Sequence, residues 1–306
     1  MNRRLGWTLA LLATITYSTN TPIGRGAILA GLDPVTLLAA RFALAGFLFG
    51  ATLGVTSVGT ARSGQQPLDR RGFWIALASG MLNGVMIACI FIALTRVSAS
   101  VNSMITIALI PAFTLLLLAW RGEPLTARNL VRLGIGLAGL YLLIGVGGRV
   151  DPWGVLLLVV GSALYAIHMV SVQWFLRPYN TWMITTLIVV GAGVVLACMW
   201  LARGADTYVP GWFGWTAILF QGVVATYLGR MMTYNAIKII GSGQFTLLAP
   251  LETLLTIVWS VLFLGERLAP LQWLGAMLIL FGALLAADGV WQRVTRRSHS
   301  GLRISG

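Results

Sequence analysis

The residues able to do chemistry are few, and they stand where charge is expensive. Glu252, Arg230 and Arg41 interrupt long apolar stretches, as do His168, Asn20, Asn83 and Asn102 without a fixed charge. A carboxylate, an imidazole and a guanidinium could perform acid–base catalysis. They could equally hold the ammonium and carboxylate of a zwitterion, or pass a proton. The patterns that favour catalysis are missing from the sequence: it has no HExxH, no GxSxG, no pair of aspartates within an apolar stretch and no Cys/His metal spacing. It also has no Walker A pattern to bring ATP hydrolysis to bear. No metal or cofactor is expected, and an intramembrane enzyme is disfavoured. Gly134-Ile-Gly136-Leu-Ala-Gly139 formally spells a dinucleotide fingerprint. It lies inside an apolar helix with no strand before it, so its glycines are assigned to helix packing. Cys89 and Cys198 lack CxxC spacing and are read as packing residues.

The elements that must position these residues are membrane-length helices. Hydrophobic residues make up 58% of the 306 and charged residues 9%, too few to clothe a soluble globule, which carries roughly 25%. Uncharged runs such as Phe42–Ala61, Gly72–Thr95, Val97–Trp120 and Pro178–Ala202 match the roughly 20 residues that span a hydrocarbon core. Ten spans account for the chain and leave no extramembrane domain. The net charge of +13 is a topology signal rather than a nucleic-acid footprint. Arg3, Arg4, Arg62, Arg70, Arg71, Arg293, Arg296 and Arg297 all fall on the side of the amino terminus. The positive-inside rule then places both termini in the cytoplasm, with anionic lipid as the partner of that face and no nucleic acid.

One unit occurs twice. Thr106–Gly145 contains an apolar helix with Pro111, a Gly122-Glu123-x-Leu125 link and a Gly-rich apolar helix. Gly243–Ala287 repeats this with Pro250 and Gly265-Glu266-x-Leu268. Tyr165-Ala-Ile-His168 stands in the sixth helix where Tyr17-Ser-Thr-Asn20 stands in the first. Ala236-Ile-x3-Gly-Ser-Gly243 answers Ala93-Leu-x3-Ser-Ala-Ser100. Five spans per unit is an odd number, so the halves must enter the membrane from opposite sides. The expected fold is an all-α membrane protein of ten transmembrane helices in two inverted five-helix repeats. The first repeat covers 1–148, the second 149–289, and a basic cytoplasmic tail covers 290–306. Inverted repeats with proline-interrupted helices point to a transporter whose substrate sits near the midplane, and Pro22, Pro111 and Pro250 are the expected hinges. Gly46, Gly50 and Gly54 in the second helix are expected to admit a close neighbour. The glycine-lined fifth and tenth helices offer a face for a homodimer.

Within that frame, Arg230 and Glu252 lie roughly 12–14 Å from the same membrane face at 1.5 Å per residue, a depth that permits an ion pair. His168 lies at a similar depth and aligns with Asn20. Tyr17, Tyr165, Tyr227, Tyr234 and Trp259 lie deeper than the interfacial tryptophans and could form an aromatic pocket. Asn83 and Asn102 add hydrogen-bonding groups. Arg41 is read as structural, bonding carbonyls or snorkelling outward. Glu123 and Glu266 are read as caps of the helices that follow them.

The paired proline-bearing helix, the Gly-Glu-x-Leu link and the Gly-rich helix resemble the EamA family of the drug/metabolite transporter superfamily. Pro34-x6-Arg41 and the Ala-x4-Ser-Ala-Ser ending of the third helix resemble it too. The resemblance runs from about Trp7 to Ala287 and is strongest to exporters of aromatic amino acids of the YddG type. It departs from the family at Tyr17, where a Trp is common. It implies a cavity lined by helices one, three, four, six, eight and nine, in the bacterial inner membrane, and export of amino acids or similar amphipathic metabolites. Other metabolites, drugs or a channel-like pore are the alternatives.

Overall fold

The computed structural model describes residues 3–56, 68–120, 127–142, 150–176, 179–240 and 248–282. The linker 57–67, the Gly122–Leu125 link with Glu123, the segment before Leu248 and the basic tail lie outside the described residues. The described chain is helical, and its segments form ten rods. The first rod is α1 (Arg3–Ser18) followed by α2 (Asn20–Leu29). Then come α3 (Pro34–Thr56), α4 (Arg70–Ala93), α5 (Ala99–Trp120) and α6 (Ala127–Tyr141). The sixth rod is α7 (Pro152–Ser171), prolonged by a π segment, Val172–Leu176. α8 (Thr181–Ala202) is the seventh. The eighth rod joins α9 (Gly211–Leu219) to α10 (Gly229–Ile240) through a nine-residue π segment, Phe220–Leu228. α11 (Ala249–Leu264) and α12 (Pro270–Gly282) complete the set.

Five of the described helices are long and apolar enough to cross a bilayer: Pro34–Leu53, Arg70–Ala93, Ala99–Leu117, Pro152–Leu176 and Trp182–Ala202. Their outward faces are as apolar as their inward ones. Phe47 on α3 is 73% exposed, and Phe263 on the shorter α11 74%, which suits lipid and would be ruinous in water. Trp120, Trp153 and Trp212 are exposed at rod ends, the depth indoles favour.

α1 packs along α10, α4 along both α7 and α8, and α5 along α7. α3 packs along α8 and the π segment of the eighth rod, while α11 packs along α1 and α5. The largest core cluster gathers Phe42 and Phe49 of α3, Phe91 of α4, and Val189, Ala192 and Leu196 of α8. Close approach does not occur at Gly46 and Gly50, where a Cβ would meet nothing within 4 Å; the Gly54 side of α3 lies outside the described residues. It occurs instead between α4 and α8, at Gly80, Gly84 and Gly191.

The first rod breaks one turn before Pro22, at Thr19. Proline has no amide proton to give the carbonyl four residues earlier, so Ser18 O is left without its helical donor. Thr256 Oγ1 supplies one from α11 at 3.1 Å. Pro22 itself sits in the first turn of α2, where a missing N–H costs nothing. Pro250 likewise falls in the first turn of α11. Pro111 is interior to α5, which continues through it.

At the bundle end holding the α3–α4 and α7–α8 links, Asp69 caps α4 and accepts hydrogen bonds from Gly72 N at 2.6 Å and Tyr179 Oη at 2.7 Å. The Tyr179 bond first, then the Gly72 amide, holds the Asp69 carboxyl below its ordinary 3.8, and the same bond raises the Tyr179 phenol. A carboxyl depressed on folding stabilises above its unfolded value and loses that contribution as pH falls through the folded one. Asp69→Asn should therefore lower the melting temperature slightly at neutral pH. The gap from wild type should close as pH drops below 3.8. A gap that is unchanged in acid would show that this bond is not its source.

Candidate functional site

A cavity of about 410 Å³ lies between five rods. Asn20 and Thr21 of α2 line it, with Met86, Ile87, Ile90 and Phe91 of α4. α5 gives Asn102, Ser103, Thr106, Ile107, Ile110 and Pro111; α7 gives Tyr165; α11 gives Glu252, Thr253 and Thr256. The first, third, fourth, sixth and ninth rods thus contribute, whereas the eighth, also expected, contributes no lining side chain among the described residues. The wall is mainly apolar, with amides, hydroxyls and one carboxylate set into it.

The break in the first rod aims Asn20 at this space, and three neighbours fix it there. Arg41 Nη1 donates to Asn20 Oδ1 at 2.9 Å, and Gln221 Nε2 donates to the Asn20 carbonyl at 3.1 Å. On the other side of the break, Trp259 Nε1 donates to Ser18 Oγ at 3.0 Å. Asn102 is positioned by its own amide, Nδ2 donating to Ile90 O at 3.2 Å. Glu252 sits in the first turn of α11. Its backbone carbonyl accepts from Thr256 Oγ1 at 2.9 Å. Among the described residues its carboxylate takes part in no hydrogen bond or ion pair.

Of the residues picked from sequence, Asn20, Asn102, Tyr165, Glu252 and Pro111 come together on the cavity. The other described ones lie elsewhere. His168 is buried, its Nδ1 2.8 Å from Ser79 Oγ and 3.0 Å from Ser79 O. A carbonyl can only accept, so the latter contact puts the proton on Nδ1. Asn83 is buried, its Oδ1 without a partner among the described residues. Tyr227 bonds Thr52 Oγ1 and meets Phe49 edge-on at 4.9 Å. Tyr17 packs beside Gly229, and its hydroxyl accepts from Thr233 Oγ1 at 3.5 Å. Trp259 braces Ser18 and stacks on Phe263. The side chains of Tyr234 and Pro250 lie outside the described residues.

Two sequence expectations are corrected here. Arg230 and Glu252 do not pair; the ion pairs among the described residues are Arg96–Asp151 at 3.1 Å and Arg203–Asp33 at 3.4 Å, both near rod ends. Arg230 lies instead within electrostatic range of Arg41 and His168. Glu266 does cap a helix, but not the one that follows it. Its carboxylate accepts from the amides of Ala99 at 2.6 Å and Ser100 at 3.0 Å, the start of α5. The start of α12 is closed by Gln272 Oε1 accepting from Ala269 N.

Arg41 is the residue whose importance the sequence understated. It is 4% exposed, does not snorkel, and bonds side-chain oxygens rather than main-chain carbonyls. Nε donates to Thr226 Oγ1 at 2.6 Å, and Nη1 is shared between Asn20 and Gln221 Oε1 at 3.1 Å. The guanidinium also lies 5.4 Å from the Phe42 ring centroid and 5.6 Å from that of Phe91. The guanidinium therefore ties α3 to the first rod's break and to the π segment of the eighth. The available signal was Gln221, a lone amide in an apolar run and wholly buried, which needs a polar partner there.

Known proteins fit this arrangement. The uncharacterized inner membrane transporter YedA of Escherichia coli K12 is 26% identical over 188 residues, which is 60% of this chain and 61% of that protein. An uncharacterized transporter of Archaeoglobus fulgidus is 27% identical over 176 residues, 58% of this chain and 63% of that protein. The chain thus matches about three fifths of the length of these relatives. A crystal structure 18% identical in sequence superposes with a TM-score of 0.64, covering 95% of this chain and 99% of that one; the fold is shared. Residues 4–145 and 152–287 each match the EamA-like transporter family, and the chain is a member of that family of membrane transporters.

Proposed function

We propose that the protein is a secondary transporter that exports amino acids, aromatic ones foremost, or similar amphipathic metabolites by alternating access. The observation that carries this reading is the cavity itself. It is of small-molecule size, mostly apolar, furnished with a few polar groups, and walled by rods from both halves of the chain. Tyr165 and Phe91 offer aromatic surface, and Asn20, Asn102 and Glu252 offer polar anchors for such a solute.

Two inverted halves are part of the proposal, and the packing supports them. Exchanging the first rod with the sixth, second with seventh, third with eighth and fourth with ninth maps the most extensive packing contacts onto one another. First-on-eighth becomes sixth-on-third, second-on-eighth becomes seventh-on-third, and fourth-on-sixth becomes ninth-on-first; all are present. Two stretches matching the same family support the same reading. Glu266 then joins the halves across one end of the bundle, as a closed gate must. The arginine distribution supports an inner-membrane topology with cytoplasmic termini.

The test is uptake into proteoliposomes across a panel of twenty amino acids, with and without a pH gradient, followed by counterflow of each solute that moves. A carrier exchanges labelled for unlabelled solute, which a pore does not. A panel with no uptake, or uptake without counterflow, would overturn this function.

A further inference from the structure

Charge inside the cavity is lopsided. Among the described residues that line it, Glu252 alone carries a fixed charge. The nearest cation in the network is Arg41, which stands behind Asn20. Its bonds to Asn20, Gln221 and Thr226, and the Phe42 and Phe91 rings beside it, engage it there. Arg230 is in electrostatic range of Arg41 and His168 and makes no ion pair with Glu252.

A half-buried carboxylate set in an apolar wall attracts a cation more strongly than one in open water, because less solvent screens it. No ion pair among the described residues engages Glu252, which leaves its carboxylate to meet a cation on the solute. We infer that Glu252 is the specificity-determining group of the cavity, pairing with the ammonium of an amine-bearing solute, and that the solute's own carboxylate is dispensable. Asn20 and Asn102 can hydrogen-bond a carboxylate, an amide or an ester alike, because each offers both a donor and an acceptor. The apolar wall of α4 and α5 takes the side chain. The cavity therefore selects for a positive charge and tolerates rather than requires a negative one. This rests on the carrier reading above.

Three labelled probes of one ring size separate the possibilities: phenylalanine, 2-phenylethylamine, which lacks the carboxylate, and N-acetylphenylalanine, which lacks the ammonium. Counterflow in proteoliposomes of the full chain should carry the first two, and N-acetylphenylalanine at least tenfold more slowly. Glu252→Gln should slow the two amines to the N-acetylphenylalanine rate, with Glu252→Asp in between. N-acetylphenylalanine moving as fast as phenylalanine, 2-phenylethylamine failing to move, or Glu252→Gln leaving both amines unchanged would each overturn the inference and leave the carrier reading standing. A chain that moves none of the three overturns the inference; if the wider panel is also inert, the carrier reading falls with it. The wild-type comparison uses no variant, so it decides the matter even if Glu252→Gln does not fold.

Discussion

Gly80→Val should strip about 3 kcal/mol from the folded state, the upper part of the range for overpacking a close contact, while Gly46→Val should leave stability unchanged. Both glycines lie in small-residue repeats of helices long enough to span the membrane, and neither has positive φ. The difference is what faces them. A Cβ at Gly80 would stand 2.5 Å from Ile188 O and 2.8 Å from Ile188 Cα, both main chain. The contact is reciprocal, because a Cβ at Gly191 would stand 2.5 Å from Leu77 O. Backbone cannot swing aside as a long side chain can, so α4 and α8 must separate along their length. The core formed by Phe91, Val189 and Ala192 would open with them. Around Gly46 there is nothing within 4 Å to disturb. Thermal melts of the two purified variants in one detergent check this; equal melting temperatures would mean that the α4–α8 contact does not hold the two helices together.

That contrast also marks what the sequence could and could not say. Ten rods were legible because length, hydropathy and proline position are local properties. Which face of a rod meets a neighbour was not, since a helix apolar on every side carries no stripe to point inward. Gly46-x3-Gly50 and Gly80-x3-Gly84 read alike, yet only the second touches another helix. The same limit governed the site. Asn20, Asn102, Tyr165 and Glu252 were found because polarity at membrane depth needs a reason. His168, Tyr227 and Trp259 satisfied that criterion equally well, and their reasons proved to be Ser79, Thr52 and Ser18 rather than the cavity. Glu266 was legible as a cap, but its helix lies 166 residues away from it in the chain. The π segment at Phe220–Leu228 left no mark in the sequence pattern beyond Gln221 and Thr226, and Thr226 Oγ1 takes up the Gln221 carbonyl at 2.7 Å.

The second large effect is expected at Arg41. Arg41→Leu removes a buried cation from three acceptors, Asn20 Oδ1, Gln221 Oε1 and Thr226 Oγ1. A buried acceptor left without a partner costs about 1–3 kcal/mol. Asn20 Oδ1 and Gln221 Oε1 lose this donor, while the Thr226 hydroxyl still donates to Gln221 O, so about 3 kcal/mol in all is a reasonable expectation. Arg41→Lys keeps the charge but loses the planar fork that serves two directions at once, and should recover only part of it. The larger consequence is for transport. Asn20 faces the cavity with its amide oriented by Arg41, so losing the guanidinium frees that amide to turn. Arg41→Leu should then raise the KM for exported amine about tenfold, equivalent to about 1.4 kcal/mol, when rates are scaled to folded protein. Asn20→Ala should raise it to a similar degree, and the double variant should add little, because residues that act through one contact are not additive. KM effects that simply multiply in the double variant would make Arg41 a brace between rods and nothing more. A subadditive pair would place it in the chain of contacts that sets the substrate's polar anchor.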